Sequence, residues 1–400
     1  MKRGVYLKYA SLCVVTLLTV LTLADTAPEA VTGFDLLTNG MVDQATHDAD
    51  REEFEGQDTI AEGLGPLYNA TSCVDCHQNP VTGGSSQINE MRAGHLENGQ
   101  FVNPQGGSSL IHDRAVDPQI QQRIPGTEFI HAFRASTSIL GLGFVEAVDD
   151  QTLLDLANKQ AALSGGRIRG QAIMVDVFEA PGVKRVGRFG WKDQQASLLS
   201  FSADADLNEK GITNRFLPDE SLYFGQSVAA FDHADNHPND VNQDIDAYAR
   251  YMRATKAPPR GVIGADAQAG EAVFQKVGCG ICHTATLQTV AAGTQLNGGT
   301  YTVPDAIGGK TFHPFSDFLL HDVGTGDGIV QNGGPSTRNK LRTPPLWGLR
   351  SRGRFMHDGS APDLTTAIRR HDNEAQSARF RYFFLGRTDT KNLIAFLNSL

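Results

Sequence analysis

The chain sets a few segments of clear helical periodicity among long stretches that have none. Asp266–Phe274 puts Gly270 and Phe274 on one helical face, and Lys391–Leu400 carries apolar residues at helical spacing. A third helical stretch runs from Asp244 to Lys256, and Pro258-Pro259 ends it. The connections are rich in glycine and proline, 42 and 17 of 400 residues. That pattern predicts a mainly α fold of small helical units joined by long loops. At the start, Lys2, Arg3 and Lys8 precede an apolar run from Ala10 to Ala24 that closes on Thr22-Leu23-Ala24. Its 15 residues fall short of the ~20 a membrane span needs. Residues 1–24 therefore read as a secretory signal peptide, which predicts a periplasmic protein without stable membrane insertion.

Cleavage there would remove three basic and no acidic residues, taking the net charge from −10 to −13. So acidic a surface is a poor partner for nucleic acid or an anionic membrane, and would suit a basic redox partner. Cys13 would leave with the signal. The other four cysteines form two pairs, Cys73-Val74-Asp75-Cys76-His77 and Cys279-Gly280-Ile281-Cys282-His283. Each is the C-x-x-C-H pattern of c-type haem attachment. The turn spaces two thiols to add to the haem vinyl groups, and the histidine comes round to ligate the iron. A periplasmic dithiol or a zinc site could also use cysteine pairs. Two such pentapeptides that consume every remaining cysteine favour two covalent haems, with His77 and His283 as iron ligands.

The two halves share further landmarks. Ser109-Leu110-Ile111-His112-Asp113 places His112 35 residues past His77, and Phe318-Leu319-Leu320-His321-Asp322 places His321 38 past His283. Arg134 follows His112 by 22 residues and leads to Gly141-Leu142; Arg342 follows His321 by 21 and leads to Gly348-Leu349. An internal repeat is the reading. A first domain covers 25–257, with an insertion at about 165–240, and a second covers 258–400. Trp191 lies in the inserted Gly187-Arg188-Phe189-Gly190-Trp191-Lys192, and Trp347 in the second half. Either could relay an electron or simply pack in a core beside a porphyrin.

The helix around Gly270 and the C-terminal helix resemble the crossing pair of the cytochrome c fold. Gly141-Leu142-Gly143-Phe144-Val145-Glu146, Gly187–Trp191, Leu319–Asp322 and His357-Asp358-Gly359 make the chain resemble the bacterial di-haem oxidoreductases, relatives of the di-haem cytochrome c peroxidases. The resemblance implies two tandem cytochrome c-like domains, electrons passing from the second haem to the first, and reduction of peroxide or a similar small oxidant with a redox protein as donor. A two-haem electron carrier without catalysis is the alternative, and oxidation of a partner protein is a third reading. In the peroxidases a methionine stands some fourteen residues after the His-x-Gly turn and ligates the electron-transfer haem. Here His371 stands there, with Met356 and His357 as rivals. Imidazole favours ferric iron more than a thioether does and would lower the potential.

At the first haem the repeat sets Gln160 or Ala161 opposite His371, and neither is a natural iron ligand. This haem would then be open, with Glu146 either moving a proton on its distal side or serving a helix N-terminus. His95, His112 and His131 are the groups that could close it instead. The peroxidases also bind calcium between their domains. Asn79 and Thr343-Pro344 could contribute to such a site, but the sequence shows no clear oxygen-ligand loop.

Overall fold

A computed structural model describes residues 27–400, so the proposed signal peptide lies outside the described residues. Among the described residues nine α-helices run in chain order: α1 Gln44–Glu55, α2 Leu142–Glu146, α3 Asp150–Leu163, α4 Leu198–Ala205, α5 Asp244–Ala254, α6 Ala265–Val277, α7 Leu364–Arg370, α8 Gln376–Phe383 and α9 Arg387–Leu397. None is long and apolar enough to cross a membrane.

The expected mainly α class is corrected to mixed α/β. The chain is 33% helical and 15% strand. A four-stranded antiparallel sheet centres on Asn89–Glu97, which pairs with Ile130–Ala135 in the register Glu90↔Arg134 and Met91↔Phe133. Short ladders such as Leu320–His321 with Leu341–Arg342 tie other loops together. The central strand escapes a periodicity search because charged Glu90 and Arg92 occupy positions that an ordinary half-buried strand gives to apolar residues.

Each attachment motif sits beneath a pair of crossed helices. In the second half α6 crosses α9, and Gly270 makes the close approach possible: a Cβ there would lie 1.9 Å from the Asn392 carbonyl oxygen. Phe274, one turn on, packs on Phe396 at 5.2 Å. In the first half α1 crosses α5, with Phe54 against Tyr251 at 5.0 Å. No glycine stands at this crossing; buried Asp50 accepts from Arg250 Nε at 2.7 Å.

The repeat is visible in the backbone. Gly141 and Gly348 both take left-handed φ, 76° and 70°, and each caps a short helical turn. A Cβ on Gly141 would press on Ala257 at 2.9 Å, and one on Gly348 on Pro258 at 3.2 Å. The second half keeps a core of its own around Phe274 and Phe396, and a further cluster spans both halves. Phe54, Phe144 and Leu153 share a buried cluster with Phe312, Leu319 and Trp347. Polar clasps add to it: Arg134 bonds Asp327 at 2.7 Å, and buried Lys192 donates to Asp327 and to the carbonyls of Thr337, Arg338 and Lys340. Burial pushes the Lys192 pKa down to about 8, against the opposing pull of Asp327.

Candidate functional site

The two C-x-x-C-H motifs adopt the same local form, a single 3₁₀ turn over Cys73–Asp75 and over Cys279–Ile281. The amides of His77 and His283 each donate to the carbonyl of the first cysteine at 3.0 Å. None of the four cysteines forms a disulfide. The rings then meet matching surroundings. Phe54 lies 6.3 Å from His77 and Phe274 6.3 Å from His283, both at an interplanar angle of 56°. His283 Nδ1–H donates to the Phe315 carbonyl at 3.0 Å, and His77 Nδ1 points to that of Gly84 at 3.3 Å. Engaging Nδ1 in this way leaves Nε2 free as a metal ligand and fixes the ring plane.

His371 carries the same signature. It caps α7, and its Nδ1–H donates to the Ala367 carbonyl at 2.8 Å. It also lies near His283, whose pKa is pushed down to about 4, first by burial and then by the neighbouring His371. Two half-buried imidazoles, each with Nδ1 held by a backbone carbonyl, are thus neighbours. His357 is placed elsewhere: it is buried edge-on to Trp191 at 6.1 Å, and its backbone carbonyl accepts from Ala135 N. Met356 occupies the tight turn before it, with φ 70°.

His77 faces different surroundings. A cavity of about 910 Å³ opens beside it, lined by Cys73, Cys76, Glu90, Arg92, His112, Arg134, Trp191 and Glu209 among others. Volumes in this range hold cofactor-sized molecules. Arg92 grips Glu90 with two hydrogen bonds, at 2.7 and 3.1 Å. Burial works against the Glu90 anion, but Arg92 outweighs it and lowers the pKa. Glu209 goes the other way. Burial, then the charge of Glu90, pushes it up to about 7, although Asn69 donates to it at 2.8 Å. The two carboxyls thus divide into an anion and an acid.

The first-half histidines are accounted for. His95 bonds Glu128 and Glu97, and His131 bonds the Glu128 carbonyl; neither lines the cavity. His112 does, with Nδ1 on Gln122 at 3.0 Å, and burial pushes its pKa down to about 4. Its repeat partner His321 lies 3.9 Å from Cys282 Sγ, at the attachment edge of its site. Asp317 and Glu374 hold that ring at 2.8 and 2.9 Å and, against the pull of burial, keep it protonated. The repeat sets His112 at the corresponding edge.

Glu146 does not line the cavity. It is buried on Arg253, at 2.7 and 2.8 Å, and accepts from Leu198 N and Asn297 Nδ2. Gln160 reaches out of the first half instead, donating to Ile281 O at 2.9 Å inside the second motif and to Asp317. Sequence reasoning missed Glu90, Arg92 and Glu209. Glu209 comes from the segment read as an insertion and sits in a π-helical turn, Asp206–Lys210, that continues α4. Such turns are frequent at functional sites, but no residue pattern announces this one.

The family model described as "Di-haem oxidoreductase, putative peroxidase" matches residues 111–400. The chain belongs to this di-haem oxidoreductase family. Of solved structures, the xenon-pressurised hydrazine synthase of Kuenenia stuttgartiensis is 15% identical, covering 98% of this chain and 100% of that one, with a TM-score of 0.42. A MauG-like protein associated with microbial copper homeostasis is 15% identical over 95% and 94%, with a TM-score of 0.41. The di-haem peroxidase BthA of Burkholderia thailandensis is 14% identical over 75% and 92%, with a TM-score of 0.32. No curated protein matches. Two haems fit the residues of this family member: two paired-thiol turns, three imidazoles with Nε2 free, and a cavity of cofactor size beside His77.

Proposed function

We propose that this di-haem oxidoreductase is an exported peroxidase-like enzyme that divides its two haems between electron entry and chemistry. Cys279, Cys282 and His283 would hold the second haem, with His371 as a further iron ligand. Cys73, Cys76 and His77 would hold the first and leave its iron accessible to a small ligand. When bound, the haems supply one-electron transfer and, at the open iron, a place for peroxide or a similar small oxidant. The protein's own part there is proton handling. Glu209, acidic to about pH 7, would donate a proton to the departing peroxide oxygen, and Glu90, held ionised by Arg92, would take one from the other peroxide oxygen. Trp191 joins the regions: its indole N–H donates to Ala135 O at 2.9 Å, it lines the cavity, and it meets His357 at its edge.

The observation that carries this reading is the asymmetry of the two histidines. His283 has His371 as its neighbour, whereas His77 opens on a cofactor-sized cavity whose lining sets Glu90 and Glu209 beside His112, an imidazole that the repeat matches to the edge residue His321. An optical and EPR titration of the holoprotein with carbon monoxide, cyanide and peroxide tests it. One ligand-binding haem per chain is the expected result. Two low-spin haems that refuse every ligand, even when half-reduced, would leave the non-catalytic electron carrier as the better description.

A further inference from the structure

The chain carries a net charge of −10, yet one helix beside the second attachment motif shows the opposite character. On α8 and the turn after it, Phe380, Phe383 and Phe384 are 63%, 54% and 74% exposed. Phe380, Phe383 and Phe384 follow the spacing i, i+3, i+4, so they lie together on one side of α8 and its C-cap, and Arg387 opens α9 just beyond them. That side faces solvent, because Tyr382 and Ala378 on the other side are the residues that pack into the core of the second half. Phe380 and Phe384 meet at 4.7 Å with their rings tilted by 51°, and the Arg369 guanidinium lies 6.0 Å from the Phe383 ring. Arg381 and Arg387 complete the rim, Arg379 being paired with Asp372 at 3.0 Å, and no Asp or Glu occurs in the segment from Ala375 to Thr388 itself.

The patch is mechanically close to the second motif. Arg381 Nη1 donates to the Val277 carbonyl at 2.9 Å, two residues before Cys279, and α8 packs on both α6 and α7, the helix that ends at His371.

We propose that this aromatic patch is the docking surface for the electron donor, and that the donor is a small redox protein presenting an apolar centre ringed by carboxylates. The inference rests on the electron-entry role of the second haem proposed above. Charge complementarity selects the partner. An apolar core with a charged rim is the anatomy of a specific but transient interface, and the rim sets the rate of encounter. A second copy of this chain is a poor occupant, because a two-fold interface lays the patch on itself and sets arginines against arginines. The local charge reverses the expectation from net charge, which pointed to a basic donor. Each docking passes one electron from the reduced donor to the second haem iron, ferric becoming ferrous. Two such transfers with two protons balance the reduction of one hydrogen peroxide to two waters.

The test uses the holoprotein, an acidic blue-copper protein (plastocyanin) and a basic mitochondrial-type cytochrome c as probes, with Phe380→Ser/Phe384→Ser and Arg387→Glu as variants. Binding is read by surface plasmon resonance and by line broadening in NMR spectra of the probe. Reduction of the second haem is read by stopped flow. The acidic probe should bind the wild type, more weakly as salt rises, and both variants should lose about tenfold in second-order rate. Reduction by a small chemical donor should stay unchanged in both. A preference for the basic probe, or unaltered binding of the acidic one by the variants, overturns the proposal. So does a wild-type dimer in sedimentation that the double serine variant makes monomeric. If peroxide is not reduced with any donor, the enzymatic reading fails alone, since binding and haem reduction are measured without it.

Discussion

Where α6 crosses α9, Gly270 lets backbone approach backbone; where α1 crosses α5, Asp50 and Arg250 fill the same space with an ion pair. Below the crossings the two histidines meet their phenylalanines at identical distance and angle. Above them the halves diverge. The second brings α7 over so that His371 neighbours His283, and surrounds His321 with carboxylates that keep it charged. The first leaves its histidine beside a polar cavity and keeps His112 neutral on a glutamine. One repeated scaffold thus provides two kinds of histidine site. The proximal side is set by the repeated motif, and the distal side by whichever segment the loops deliver.

The sharpest way to break that contrast is His371→Ala. Carbon monoxide uptake by the reduced protein should rise from one to two per chain, with loss of one low-spin EPR signal. An unchanged stoichiometry would remove His371 from the iron.

Glu209→Gln should lower kcat/KM for peroxide about 10²-fold while leaving reduction of the second haem intact. In the wild type the acid form of Glu209 is present below its pKa of about 7 and is lost as pH rises through it. The rate should therefore fall above about pH 7, and the glutamine variant should show no such limb. If the limb persists, the titrating group lies elsewhere.

Gly270→Ala should cost about 1–3 kcal/mol, because the new Cβ cannot fit at 1.9 Å from a carbonyl oxygen. Thermal unfolding of the holoprotein would show it. The corresponding crossing in the first half should be the more tolerant. The Arg250 side chain is 42% exposed, so Arg250→Lys, which keeps a cation on buried Asp50, should cost less than about 1 kcal/mol. A larger loss there than at Gly270 would reverse the comparison.

Much of this was legible along the chain. The helices α5, α6 and α9 advertise themselves by period, the two attachment motifs by spacing, and Gly141 and Gly348 by the repeat, since both turns need left-handed backbone. His371 was reachable by counting from His357-Asp358-Gly359. The sheet was hidden because Glu90 and Arg92 break the alternation that marks a strand. Glu146 drew attention by its place after a glycine turn, yet Arg253, 107 residues on, occupies its carboxylate.

By itself, then, the sequence determined the local chemistry: which cysteines and histidines form attachment turns, which helices cross, and that the unit is doubled. Those features depend on spacings of a few residues, which the chain carries wherever it goes. Tertiary structure alone decided which carboxyl faces the cavity and which is neutralised, that Gln160 serves the other half, and that the phenylalanines of α8 look outward. Charge state and exposure depend on neighbours brought from more than a hundred residues away, and no local pattern encodes that meeting.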